Sequence, residues 1–248
     1  MTDSLRTPDR HQRGAAHRLV TMLVWLLPPC RIKNHLLNLL GNRIHPTATI
    51  WPSLVISCGV FDLAEFTVIM PGNLFRQMNR VELDTCAYIG TLNQFVADRD
   101  YWTFESRAGV LRLGELCGIT NRHQLDCSGR IELHPRSAIG GIRSIFESRA
   151  LDLESNRILL GKIVVGEYSL TASACIVQSG ARIPPKSLVA LGSVVVSRDE
   201  DDDATSGLYA GSAASRRGDL PDCAWWYRDL RDTRPQGPHD FDFDIPRA

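Results

Sequence analysis

From Ile44 onward the apolar positions follow neither a helical period nor plain alternation; they recur every six residues. The clearest run sets Val165, Thr171, Val177, Ile183, Val189 and Val195 six apart, and four residues after each of the first five stands a small residue: Ser169, Cys175, Ala181, Ser187 and Ser193. Shorter phased runs are Ile44, Ile50, Ile56; Leu83, Ile89, Phe95; Leu113, Ile119, Leu125; and Leu133, Ile139, Ile145. Six residues make one short strand and one turn. The large residue points into a stacked interior, the small one sits where the backbone bends, and each rung buries its apolar face only against its neighbours. The pattern predicts an all-β solenoid of parallel strands over residues 44–197. A β-sandwich would show period-two alternation and hairpin turn signals instead.

Two stretches interrupt the period, Asp98 to Arg112 and Phe146 to Lys162. Both are polar and irregular, so the sequence predicts loops projecting from the coil, where repeat proteins often build their binding face. Ahead of the coil, the apolar run Leu19 to Leu27 falls short of the roughly 20 residues a membrane-spanning helix needs. Pro28, Pro29 and a second apolar stretch, Ile32 to Leu40, follow it where a signal peptide would have a small-residue cleavage site. Residues 1–43 are expected to form short helices broken at the prolines, with Arg6, Arg10, Arg13, Arg18, Arg31 and Lys33 on their polar sides. Such a pair either touches an anionic membrane peripherally through residues 1–40 or packs as a cap on the coil. Residues 198–248 read as an acidic loop, Asp199 to Asp203, and a tail. That tail carries Trp225, Trp226, Tyr227 and the segment FDFDIP (241–246), and either packs on a partner or stays flexible.

At 248 residues, 44% hydrophobic and 23% charged, the chain has the material for a folded domain. Its 28 basic and 28 acidic side chains cancel, so no net charge draws it to nucleic acid, which we set aside as a partner. The charge is nonetheless polarised: residues 1–43 carry seven Lys/Arg against two Asp/Glu, and residues 197–248 carry seven against twelve. Seven cysteines without a C-x-x-C pair argue against a disulfide framework or a zinc knuckle; they read as reduced thiols packed as small hydrophobes.

The stretch IVVGEYSLTASACIVQSGARIPPKSLVALGSVVVS (163–197), followed by GLYAGSAASRRGDL (207–220), resembles the hexapeptide-repeat acyltransferases, and the resemblance covers about Leu36 to Leu220. The segments ITNRHQLDCSGRIEL from Ile119 and SRALDLE from Ser148 resemble the acceptor-side motifs of the sugar O-acetyltransferase branch. This resemblance implies a left-handed parallel β-helix, usually a homotrimer. It also implies metal-free transfer of an acyl group from acyl-CoA, acetyl-CoA first, to a sugar or glycolipid hydroxyl in cell-envelope polysaccharide synthesis. The implied location is cytoplasmic, at the inner face of the membrane if the N-terminal helices bind lipid. A γ-class carbonic anhydrase shares such a coil but needs zinc-binding histidines, two of them five apart, and the sequence has no such pair. A sugar nucleotidyltransferase would need a Gly-rich phosphate-loop domain before the coil, for which 43 residues leave no room.

By the same resemblance Asn121 and Asp126 match the acceptor-side Asn and Asp. Relatives carry the catalytic His in a segment like S/T-H-x-x-D, which here reads Ser148, Arg149, Ala150, Leu151, Asp152. Arginine stays protonated at pH 7 and is no general base. Either another residue takes the proton, or the chain is a catalytically silent relative serving as a structural or binding subunit. His123 is the nearest substitute; His134 and His45 are more remote. Arg149 has the charge to hold an anionic acceptor or the coenzyme's phosphates. On the cofactor side, Ala172 to Ala174, Gly192 and Ser193 stand on late rungs where backbone amides line the pantetheine channel. The terminal G-N-P-A motif reads Gly211, Ser212, Ala213, Ala214, with Arg216 and Arg217 after it to meet phosphates. Asp199 to Asp203 would repel those phosphates unless that loop swings outward.

Overall fold

The computed structural model describes residues 14–197 and 205–227. Two helices, α1 (Ala15–Trp25) and α2 (Arg31–Leu39), precede a left-handed parallel β-helix whose strands stack on three faces. Each face has one inward column in register. On the first face it is Ile44, Leu63, Leu83, Leu113, Leu133, Val165, Ile183. The second reads Ile50, Ile69, Ile89, Ile119, Ile139, Thr171, Val189, Tyr209. The third reads Val55, Phe75, Phe95, Leu125, Phe146, Val177, Val195. All these residues are buried.

The six-residue period is strict only from Val165 onward, and the structure gives the reason. Upstream, the four-residue strands of the first face send two side chains inward, as Phe61 with Leu63, Val81 with Leu83, Leu111 with Leu113 and Ile131 with Leu133. Two extra residues per turn therefore reset the phase at every pass. Two of the expected core positions are displaced by one. The corner after Ile50 is a residue short, so Val55 faces inward and Ile56 outward. The corner at Gly140–Gly141 carries a bulge, with Gly141 at a φ of 68°, so Phe146 is buried in place of Ile145. A shift of one residue exchanges the two faces of a strand.

The helices close the first rung, which is the cap alternative. Trp25 is fully buried, 4.4 Å from the Phe61 ring and 6.3 Å from that of Phe75, and Phe75 stacks on Phe95 at 4.7 Å. Lys33, expected on a polar side, is instead fully buried: its Nζ donates to the carbonyls of Trp25, Leu27 and Ile50 at 2.8, 2.8 and 3.0 Å, satisfying the C-terminal end of α1. Burial pulls its pKa down to about 8. Among the described residues no helix is long and apolar enough to cross a membrane.

Both insertions are shorter than the sequence pattern suggests, because Val110–Leu113, Ile145–Glu147 and Lys162–Val165 are rung strands. The first holds a short helix, α3 (Arg99–Phe104). The second is an antiparallel hairpin, Arg149–Asp152 against Arg157–Leu160, and not an irregular loop. The second face also continues past residue 197. Gly207–Ala210 pairs in parallel with Ser187–Val189, and Ser215–Gly218 turns back antiparallel against it. One helical turn, Ala224–Tyr227, then lays Trp226 against Lys186, 5.2 Å from ring to Nζ. Arg6, Arg10, Arg13, Asp199 to Asp203 and FDFDIP lie outside the described residues.

Candidate active site

Asp126 stands on the fourth rung of the third face, at the end of strand Gln124–Asp126. Its Oδ1 accepts from the Ser128 amide at 2.8 Å, and its Oδ2 lies 2.7 Å from Nε of Arg149. Arg149 is the first residue of the hairpin, whose root is fixed by the fully buried Ser148. That hydroxyl donates to the Asp126 carbonyl at 2.7 Å and accepts from the Gly129 amide at 2.8 Å. Burial works against the Arg149 charge, but the Asp126 carboxylate, followed by Tyr101 and Asp98, outweighs it and raises the pKa. Tyr101 and Asp98 come from the α3 insertion, which Trp102 pins by donating its indole N–H to the Gln77 carbonyl at 2.9 Å. The two insertions, far apart in sequence, thus meet over Asp126. Glu147, in register with Asp126 on the next rung, faces outward and exposed beside it.

His123 is placed elsewhere than expected. It is 1% exposed and belongs to an inward column at the corner between the second and third faces, where each side chain receives the backbone N–H one rung on. Asn73 Oδ1 accepts from Asn93 N at 2.9 Å, Asn93 Oδ1 from His123 N at 2.9 Å, His123 Nδ1 from Ser144 N at 3.1 Å, and Ser144 Oγ from Cys175 N at 3.2 Å. With Nδ1 accepting, the ring proton sits on Nε2, which donates to Thr120 Oγ1 at 2.9 Å. Burial, only partly offset by the Gly141 carbonyl, lowers the pKa to about 4. Both nitrogens are engaged, one with the Ser144 amide and one with Thr120, so in this structure the imidazole serves as a rung of the wall and faces away from the Asp126 side of the coil. Asn121 is also used between rungs, its Oδ1 accepting from Thr91 N at 2.7 Å and Thr91 Oγ1 at 2.9 Å. His134 and His45 follow first-face strands, with Nε2 3.9 Å from Glu132 and 3.8 Å from Glu65 respectively, on a different face from Asp126.

The cofactor-side residues are partly brought together. Ala174 and Gly192 occupy equivalent left-handed corner positions one rung apart, at φ of 57° and 70°, with Ala172 just before them, and Gly192 N donates to Ser173 O at 3.0 Å. Both corners are exposed. Ser193 turns inward, 1% exposed, and accepts from Gly211 N at 3.3 Å. Arg216 spends its guanidinium on the Ser206 carbonyl and on Asp219. Arg217 reaches the Ala210 carbonyl at 3.2 Å and lies over Gly211, where an added Cβ would meet its Nη2 at 3.0 Å.

The sequence reading missed several neighbours. Glu147 was legible, because alternation about a buried Phe146 sends it outward. Arg122 and Arg143, exposed at φ of 57° and 61° on the same corner column as Ala174 and Gly192, follow from counting rungs with the bulge included. Tyr101 and Asp98 carried no such signal, since the insertion has no period. Among the described residues no group of three or more His, Cys, Asp or Glu is placed to hold a metal.

No protein-family model matches the sequence, and no curated protein matches it. Solved structures similar to the fold include the polySia-specific acetyltransferase NeuO, at 14% identity over 77% of this chain and 88% of that one, TM-score 0.49. A hexapeptide-repeat acetyltransferase from Vibrio cholerae O1 biovar eltor, complexed with acetyl coenzyme A, is similar at 14% identity over 84% and 87%, TM-score 0.46. Another Vibrio cholerae structure of that type reaches 18% identity over 56% and 73%, TM-score 0.44. Likenesses this distant assign no residue role, substrate or assembly to the present chain.

Proposed function

We propose that this protein is an acyl-CoA dependent acyltransferase, using acetyl-CoA, that acts on a hydroxyl of a sugar or glycolipid acceptor in cell-envelope polysaccharide synthesis. The observation that carries this reading is the Asp126–Arg149 pair held where the two insertions converge on one face of the coil. Arg149 supplies a fixed cation to orient an anionic or polar acceptor. Glu147, exposed and in register with Asp126, is the carboxylate on that face that takes the hydroxyl proton. The donor side is the corner at the opposite edge of the same face. There Ala174 and Gly192 stand at exposed left-handed corners, and Arg217, over Gly211 at one end, and Arg143 toward the other supply cations for phosphates. Between the two edges the outward column of Gln124, Ile145, Ile176 and Val194 is uncharged, which suits a pantetheine arm. A coenzyme A thioester as co-substrate implies a cytoplasmic location.

Calorimetric titration with acetyl-CoA tests the reading. Saturable binding near one site per chain is expected, weakened about fivefold by Arg217→Ala. An absence of binding at millimolar ligand in a folded sample would overturn it. That second outcome favours the silent-subunit alternative, which the guanidinium filling the position opposite Asp126 supports.

The homotrimer belongs to the same proposal. The outward column of the second face, Val68, Tyr88, Gly118, Ala138, Leu170, Leu188 and Leu208, carries no charge over seven rungs, as a surface buried between copies would. Sedimentation velocity at micromolar concentration should give a trimer that Leu170→Glu dissociates. A monomeric wild-type protein would remove this part.

A further inference from the structure

We infer that the outer surface of the α1–α2 pair docks the protein onto an anionic lipid bilayer. The helices bury only one side: Val24 and Trp25 are the only buried residues of α1, and α2 buries Lys33, Asn34 and Leu37. On the other side Leu19, Leu23, Leu26, Leu27 and Ile32 are 38–70% exposed. Trp51 joins them at 40% exposure. It is held at the break between the helices, where Lys33 Nζ donates to the Ile50 carbonyl and the Ser53 amide donates to the Trp25 carbonyl at 3.3 Å. A large apolar strip ending in a tryptophan is the composition of an interfacial anchor, with the indole placed at headgroup depth.

Charge selects the occupant. From Arg10 through Phe61 the sequence contains no Asp or Glu. Lys33 is consumed inside the cap and Arg43 pairs with Asp62 at 3.5 Å, but Arg18 and Arg31 are exposed on the helices that carry the apolar side chains. A second copy of the same surface would set these cations against each other, whereas a leaflet of anionic headgroups over acyl chains complements both the charge and the apolar strip. The anchor stands at the first rung. Asp126 lies three strand spacings further along the coil, about 14 Å. That consequence rests on the acyltransferase reading, since it puts the candidate site within reach of an acceptor tethered to lipid; the docking itself does not.

Co-sedimentation of the full chain with vesicles tests the inference. Binding to phosphatidylglycerol-containing vesicles is expected, with little binding to pure phosphatidylcholine and progressive loss as salt rises. Leu23→Glu with Leu27→Glu should lower the bound fraction about tenfold at an unchanged melting temperature, because neither side chain is buried. Arg18→Glu with Arg31→Glu should remove most of the preference for anionic lipid while leaving acetyl-CoA binding intact. Three results overturn the proposal: wild-type protein that stays in the supernatant with anionic vesicles, variants that bind as well as wild type, or a Leu23→Glu, Leu27→Glu protein whose lipid-free oligomeric state changes, which would mean that another copy covers this face. Acetyl-CoA titration on the same samples shows separately whether the catalytic reading stands.

Discussion

Arg149→His is expected to raise acetyl transfer to a sugar hydroxyl about a hundredfold, the low end of what a well-placed general base contributes. The geometry favours the exchange. Arginine Nε and histidine Nε2 each lie three bonds beyond Cβ, and in this structure the Arg149 Nε is already 2.7 Å from Asp126 Oδ2. An imidazole there would donate one N–H to the Asp126 carboxylate and turn its other nitrogen to the acceptor, the division of labour in which a buried carboxylate fixes the tautomer and orientation of a base. Its ordinary pKa near neutrality suits proton transfer far better than an exposed glutamate does. Thiol release from acetyl-CoA, measured across a panel of sugar acceptors, reads the rate. Arg149→Ala removes the cation without supplying a base and should give no gain. Asp126→Asn added to Arg149→His should cancel most of the increase. An unchanged rate in an Arg149→His protein that still binds acetyl-CoA would show that position 149 does not face the acceptor.

The coil was legible because a strict repeat survives in Val165 to Val195, where every expected core position and every small partner is buried. Upstream, the phase was readable only in runs of three, since the paired inward residues of the first face add two positions per turn and two corners differ by one. The site was less legible, for two distinct reasons. Asp126 and Arg149 were marked by the sequence, yet their pairing depends on the hairpin root at Ser148 and on an α3 insertion with no period to count. His123 lies inside the wall rather than beside Asp126, and the signal for that position was present in the sequence. It stands four residues after Ile119, the position at which Ser169 follows Val165 and Cys175 follows Thr171, so the repeat already assigned it to the inward corner. Chemical identity suggested a base; position in the repeat placed it in the wall.

Such a histidine makes the fold acid-sensitive in a defined window. The ring titrates at about 4 in the folded chain, below the ordinary 6.5, because burial disfavours the imidazolium. Between those values the unfolded chain binds a proton that the folded chain does not. The stabilisation is therefore present above pH 6.5 and is lost as pH falls toward 4, by about 3 kcal/mol in all, most of it already gone at pH 4.5. His123→Asn isolates the effect, since Asn73 and Asn93 already fill the same corner and accept a rung amide in the same way. Urea midpoints at pH 7 and 4.5 should show wild type losing roughly 2 to 3 kcal/mol more than the variant. Carboxylates that titrate over this range are common to both proteins and drop out of the difference. Equal losses would mean that His123 is protonated freely in the folded state, which requires an imidazole open to solvent, and that outcome would return it to consideration as the proton acceptor.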